Sequence, residues 1–299
     1  APPAAGEGAD PDRDRKDRLD AIRAEFARAA QYDKVVAEAR ARKETLPAPD
    51  PRMTALAPYA KGERPVIFHA ERPAEILDAL KMAADLKLKA IISGGTEAWK
   101  VAKEIKEAKV PVPVLVGGTL QLPEDSFDPY DAPYANPARL FEAGVTFAIR
   151  SPGRAPNTAT SARNLPYEAA TAVAYGLPEA EAIKAVTLYP AQILGIADRL
   201  GSLEVGKRAN LVITAGHLLQ PTAVVKYVFI GGKPIAPTSR HTRLYDTYRQ
   251  RLADVRAGIA PLGLEPRATT LANPAARPGT PGAPTAPATA APSGSDDKR

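Results

Sequence analysis

Cysteine is absent from the 299 residues, and histidine occurs only at positions 69, 217 and 241. The first absence excludes disulfides and thiolate metal sites. The second leaves few imidazoles for any metal centre or general base. Aromatic residues make up 6% of the chain, and no basic stripe is interleaved with stacking rings, so a nucleic-acid-binding surface is not expected despite a net charge of +6. No apolar run approaches the roughly 18 residues that span a membrane. What is present, 44% hydrophobic and 25% charged residues, is ordinary for a soluble globular protein. Residue 1 is Ala and no signal peptide is visible, so the chain is expected to be processed or cut from something longer.

Organisation varies along the chain. Residues 1–11 and 264–299 are rich in Pro, Ala, Gly or Thr and are expected to be disordered. Residues 12–45 place Leu19, Ile22, Phe26, Ala29, Ala30 and Val36 at helical spacing among charged residues. From Arg64 a unit recurs: an apolar strand, then a helix. The strands are PVIFHA (65–70), KAIISGG (89–95), VPVLVGG (112–118) and VTFAIRS (145–151). Helices are expected at 73–87, with Ile76, Leu77, Leu80, Ala83 and Ala84 on one face, and at 96–108, 136–143, 163–176 and 179–194. Continuous apolar strands alternating with helices imply a parallel sheet buried on both faces. Four such units are half of what a closed barrel needs. After them, GSLEVGKRANLVIT (201–214) and VVKYVFIGGKPI (224–235) read as a small β module over 201–237, followed by a last helix within 238–263 with Leu244, Tyr248 and Leu252 on one face.

The stretch NLPYEAATAVAYGLPEAEAIKAVTLYPAQILGIADRLGSLEVGKRANLVI (164–213) resembles the C-terminal half of the metal-dependent amidohydrolases, nearest to their imidazolonepropionase-like subgroup; residues 54–70 and 90–100 add to the likeness. The resemblance implies strands five to eight of a TIM-like (β/α)8 barrel over 12–200, then a β-sandwich module. The first four strands have no counterpart, so either self-association or a missing N-terminal half-barrel is expected to cover the open edges.

Family chemistry implies hydrolysis of non-peptide C–N bonds in cyclic amides by a divalent ion, zinc or another, which lowers the pKa of bound water. Carried over residue by residue, the strand-five histidine is His69, the strand-six histidine falls on Gly94 and the strand-eight aspartate falls on Pro152. Two usual ligands are therefore replaced, and this chain alone is expected to be inactive with no metal bound. Glu71, two residues beyond His69, would point the same way if the strand continued, and with Glu97 could complete a rebuilt metal site. Alternatively His69 is a hydrogen-bonded polar residue at the mouth. Arg150 and Arg154 flank the missing aspartate. Together with Gly94, Gly95 and Thr96 at a helix start, Arg150 offers a site for a small anionic ligand. Ser151, Asn164, Tyr167 and Glu168 are further pocket candidates; Ser151 has no base in view except His69. A hydrolase completed elsewhere, a metal-free anion binder and a structural module remain the three readings.

Overall fold

The structure, a computed structural model, is described for residues 11–151 and 161–259. The expected disorder at 1–11 and 264–299, together with Pro152 and Arg154, lies almost wholly outside those residues. Residues up to Pro237 form one compact unit and Thr238 onward a second.

The first unit opens with α1 (Pro11–Arg42), whose Phe26 and Ala29 are buried, and α2 (Pro51–Ala60), capped by the Asp50 side chain, which accepts from Met53 N–H at 3.0 Å. The second of these helices was not expected from a Pro-rich stretch. Proline at the first position of a helix costs nothing, because its missing N–H would have no intrahelical partner there.

Four strands follow: β1 (Val66–Ala70), β2 (Ala90–Gly94), β3 (Val114–Gly117) and β4 (Phe147–Arg150). They pair in that order and all in parallel, with His69 beside Ser93 and Gly117 beside Arg150. Between them run α3 (Pro73–Asp85), a short 3₁₀ turn (Ala98–Val101) leading into α4 (Ala102–Lys106), and α5 (Ala132–Glu142). Ile76, Ala79, Leu80 and Ala83 of α3 are buried at helical spacing, while Leu77, expected on the same face, is 41% exposed. The helix expected to start at Thr96 begins only at Ala98, because Gly95–Glu97 make a turn whose backbone is bonded to β1.

The main core joins the helices to Ala90, Ile92, Val114, Val116, Phe147 and Ile149. A smaller cluster of Ile91, Ala148 and Ile193 covers the other sheet face, with Leu115 and Tyr189 packed against it. β2 is buried at every residue, as a two-sided strand should be. β1 is not: Ile67 is 47% exposed and His69 is exposed. Edge position alone does not account for the difference, because β4, also paired on one side only, is buried at all but Arg150; the small cluster on the second sheet face reaches Ile91 and Ala148 but includes no residue of β1.

After β4, α6 (Leu165–Ala174), α7 (Glu179–Val186) and α8 (Leu188–Ile193) follow. The single helix expected at 179–194 is broken at Thr187, where the backbone leaves the helical region (φ −130°, ψ −76°). β5 (Leu211–Ala215), β6 (Val224–Ile230) and β7 (Lys233–Ile235) form an antiparallel three-stranded sheet, with Gly231–Gly232 turning β6 into β7. In the second unit, α9 (Arg240–Arg256) is capped by Ser239 and has no buried residue.

Candidate functional site: the mouth of the parallel sheet

The C-terminal ends of parallel strands are where α/β folds place ligands. Here that end is organised by Glu71. The strand stops at Ala70, so Glu71 does not share the direction of His69 but swings towards the turn after β2. Its carboxylate accepts from Thr96 Oγ1 at 2.7 Å and Thr96 N–H at 3.3 Å. Arg150 Nη2 lies 3.8 Å from its other oxygen. Its backbone is fixed as firmly: Glu71 N–H donates to Glu75 Oε2 at 2.8 Å, and Glu97 N–H donates to Glu71 O at 3.0 Å.

Gly94 makes room for this. Its φ is +121°, and a Cβ built on it would stand 2.5 Å from the Glu71 carboxylate. Gly117 does the same for Arg150, whose guanidinium carbon would be 2.8 Å from a Cβ there. Arg150 Nε also donates to Leu115 O at 3.3 Å and Nη1 to Ser151 O at 3.2 Å. The N–H groups expected to be free at the glycine turn are used by the chain itself, Gly95 N–H donating to Ala70 O at 2.7 Å. Ser151 Oγ is buried with no hydrogen-bond partner among the described residues. Asn164 is half-buried and Tyr167 41% exposed, and neither is bonded to this network among the described residues.

Asn136 and Gln121 were not singled out by sequence, and Glu168, expected as a pocket candidate, is instead buried in the framework. Asn136, buried on α5, donates to Gly95 O at 2.8 Å and Thr96 O at 3.1 Å and accepts from Trp99 N–H at 3.1 Å, which clamps the turn. Gln121 Nε2 donates to Thr96 Oγ1 at 3.2 Å. Glu168, buried on α6, accepts from Thr119 Oγ1 and from Leu120 N–H at 3.1 Å, and so anchors the segment after β3. A polar residue at a core position of an amphipathic helix was the available signal for Asn136 and Glu168.

Beside the mouth, Glu97, Asp125 and Asp128 bring ligand-type oxygens within 4.8 Å of one another, the one such group among the described residues. It does not include His69 or Glu71. Lys100 Nζ already sits among these oxygens, bonded to Glu97, 2.8 Å from Asp128 and 3.4 Å from Asp125. Burial pushes the Glu97 carboxyl above its ordinary range, partly offset by Lys100. Burial works against the Lys100 ammonium, but the hydrogen bonds that it donates to Asp128 and Glu97 outweigh it and hold its pKa above the usual lysine value. A larger cavity of about 750 Å³ opens at the opposite, N-terminal ends of the strands, rimmed by Lys61, Lys87, Lys89 and Lys106, away from this chemistry.

The sequence profile of the Amidohydrolase family matches residues 12–235. The chain belongs to the amidohydrolase family. An amidohydrolase from Thermotoga maritima MSB8 superposes with a TM-score of 0.64 at 30% identity, over 73% of this chain and 55% of that one. Imidazolonepropionases of Symbiobacterium thermophilum and Micrococcus luteus are 40% identical over 96 residues and 37% identical over 105; these stretches cover 31% and 35% of this chain and 21% and 24% of theirs. The chain thus spans about half the length of the Thermotoga structure and matches about a quarter of each curated relative.

Amidohydrolases typically employ a divalent metal, so the donor set at the mouth can be tested against one. It does not fit. Among the described residues, His69 is exposed and belongs to no cluster of ligand-type groups, Glu71 is committed to Thr96 with a guanidinium beside it, Gly94 carries no ligand, and the acidic triad is filled by an ammonium. A dication would have to displace Lys100 or approach Arg150, and either is unfavourable at these distances.

Proposed function

We propose that this chain supplies the strand-five-to-eight half of an amidohydrolase barrel together with strands of its accompanying β-sandwich, and that its own residues carry no metal-dependent hydrolytic centre. The observation that supports this best is the Glu71–Arg150 pair, whose carboxylate fills the space that a side chain at Gly94 would need. The family's hydrolysis of C–N bonds in cyclic amides would then require ligands from outside this chain, or would not occur. β1 and β4, each paired on one side only, favour a missing half-barrel or self-association as the way the sheet is completed.

The test is elemental analysis of the purified chain after extensive dialysis, beside an assay for ring opening of cyclic amides. Well under one equivalent of zinc, iron or manganese, no turnover and a melt unmoved by chelator are the expected results. One equivalent of tightly held metal, lost in His69→Ala, would overturn the reading. The second reading, that the mouth receives a small anion, is favoured by the Thr96 and Arg150 donors converging on one carboxylate.

A further inference from the structure

The most informative group at the mouth is the one already seated there. Glu71 holds its carboxylate against a hydroxyl, a turn N–H and a guanidinium, which is the donor set that recognises a free carboxylate. Its fit is uneven. The Thr96 contacts are full hydrogen bonds, whereas Arg150 Nη2 stands off at 3.8 Å, beyond hydrogen-bonding distance. Glu71 is tethered by its backbone, which is fixed through Glu75 and Glu97, and in this seat its carboxylate bonds Thr96 without reaching Arg150. A carboxylate on a separate molecule has no such tether. The site is also reachable, since the Glu71 and Arg150 side chains are 26% and 24% exposed. The room at Gly94 is filled by the Glu71 carboxylate and that at Gly117 by the Arg150 guanidinium, so departure of Glu71 is what frees space beside Gly94.

We propose that the Thr96–Arg150 pocket is a carboxylate-binding site held shut by Glu71, and that its ligand is a small-molecule carboxylate that takes Glu71's place. The inference rests on the metal-free reading of the same mouth. Glu71 acts as a competitor in cis: the ligand's apparent affinity is reduced by the fraction of time that the side chain is seated. No covalent step is involved. The Glu71 side chain rotates to solvent, and the incoming carboxylate accepts from Thr96 N–H, Thr96 Oγ1 and the Arg150 guanidinium.

Removing the competitor exposes the site to the simplest probes. The full chain carrying Glu71→Ala, treated with chelator, is melted in sodium formate or acetate and compared with sodium chloride at equal ionic strength and with acetamide, a neutral isostere. A rise in the thermal midpoint of about 2–4 °C over chloride is expected with formate or acetate. Acetamide should give none, the unmodified chain should stay flat, and the response should vanish in Glu71→Ala/Arg150→Ala. A folded Glu71→Ala indifferent to formate overturns the proposal, as does an equal response from the unmodified chain. Glu71→Ser is the second opening variant; if neither variant folds even in formate, a free carboxylate does not substitute for Glu71 and the proposal falls. Metal content of the unmodified chain, measured after dialysis and before any chelator is added, separates the two readings: bound metal sinks the metal-free reading, and a missing formate response sinks this one.

Discussion

The two sheets of the first unit are built from similar residues and treated in opposite ways. β2, AIISG, is buried at all of its positions; β6, VVKYVFI, is exposed at most of its own. Both read as apolar strands. The difference is cover: β2 has α3 and α4 on one face and Ile193 and Tyr189 near the other, whereas Val212, Ile213, Val224 and Tyr227 are 47–60% exposed. An apolar strand therefore announces that it needs a partner layer and says nothing of where that layer comes from. Val212 and Ile213 are consecutive and point to opposite sides, so the small sheet leaves apolar side chains uncovered on both of its faces.

The comparison can be broken by mutation. The largest effect is expected at Lys100, where Lys100→Met leaves three clustered carboxylates with their shared cation gone. Breaking a fully buried charge pair on one side costs about 3–5 kcal/mol; with the Lys100 side chain 21% exposed, a loss at the lower end of that range is expected, read from urea melts. A loss below about 1 kcal/mol would mean that the triad had taken up another cation. Next, Ile92→Ala, at a fully buried position, should cost about 2–5 kcal/mol, and Ile213→Ala, 48% exposed, less than about 1 kcal/mol. Equal losses would show that the antiparallel sheet is covered in solution.

Gly94→Ala places a Cβ at φ +121° against Glu71, and strain at such a position costs about 1–3 kcal/mol. Adding Glu71→Ala should relieve the clash and leave the backbone strain, so recovery should be partial.

The smallest effect is in pH. The hydrogen bond to Glu181 raises the Tyr189 phenol to about 12 from 10.0. Its folded pKa thus lies above the unfolded one, so the stability it contributes is present below pH 10 and is lost as pH rises towards about 12. Tyr189→Phe should flatten that part of a midpoint-against-pH curve; an unchanged slope would remove Tyr189 from the account.

The parallel sheet was legible because continuous apolar strands and helical spacing are local properties. The expectation that the family's strand-six histidine falls on Gly94 was legible only through resemblance. The network that gives it meaning was not, because Glu71 and Thr96 are 25 residues apart in sequence and Asn136 and Gly95 are 41 apart. The expected free N–H groups at the glycine turn failed for the same reason: the carboxylate that meets one of them belongs to the preceding unit. Lys100, three residues from Glu97, carried a local signal that could have been read as an i,i+3 pair. That it also gathers Asp125 and Asp128 depends on how the segment between β3 and α5 folds back.

Gly94 limits what can be built at the mouth. A histidine placed there by one substitution would meet a backbone at φ +121° and the Glu71 carboxylate in its own volume. Introducing a ligand at this position requires Glu71 to leave, Arg150 to lose its counter-ion and the turn to be rebuilt, and each change alone is unfavourable while the others are absent. The glycine acts as a lock: a side chain is admitted there only together with the departure of Glu71.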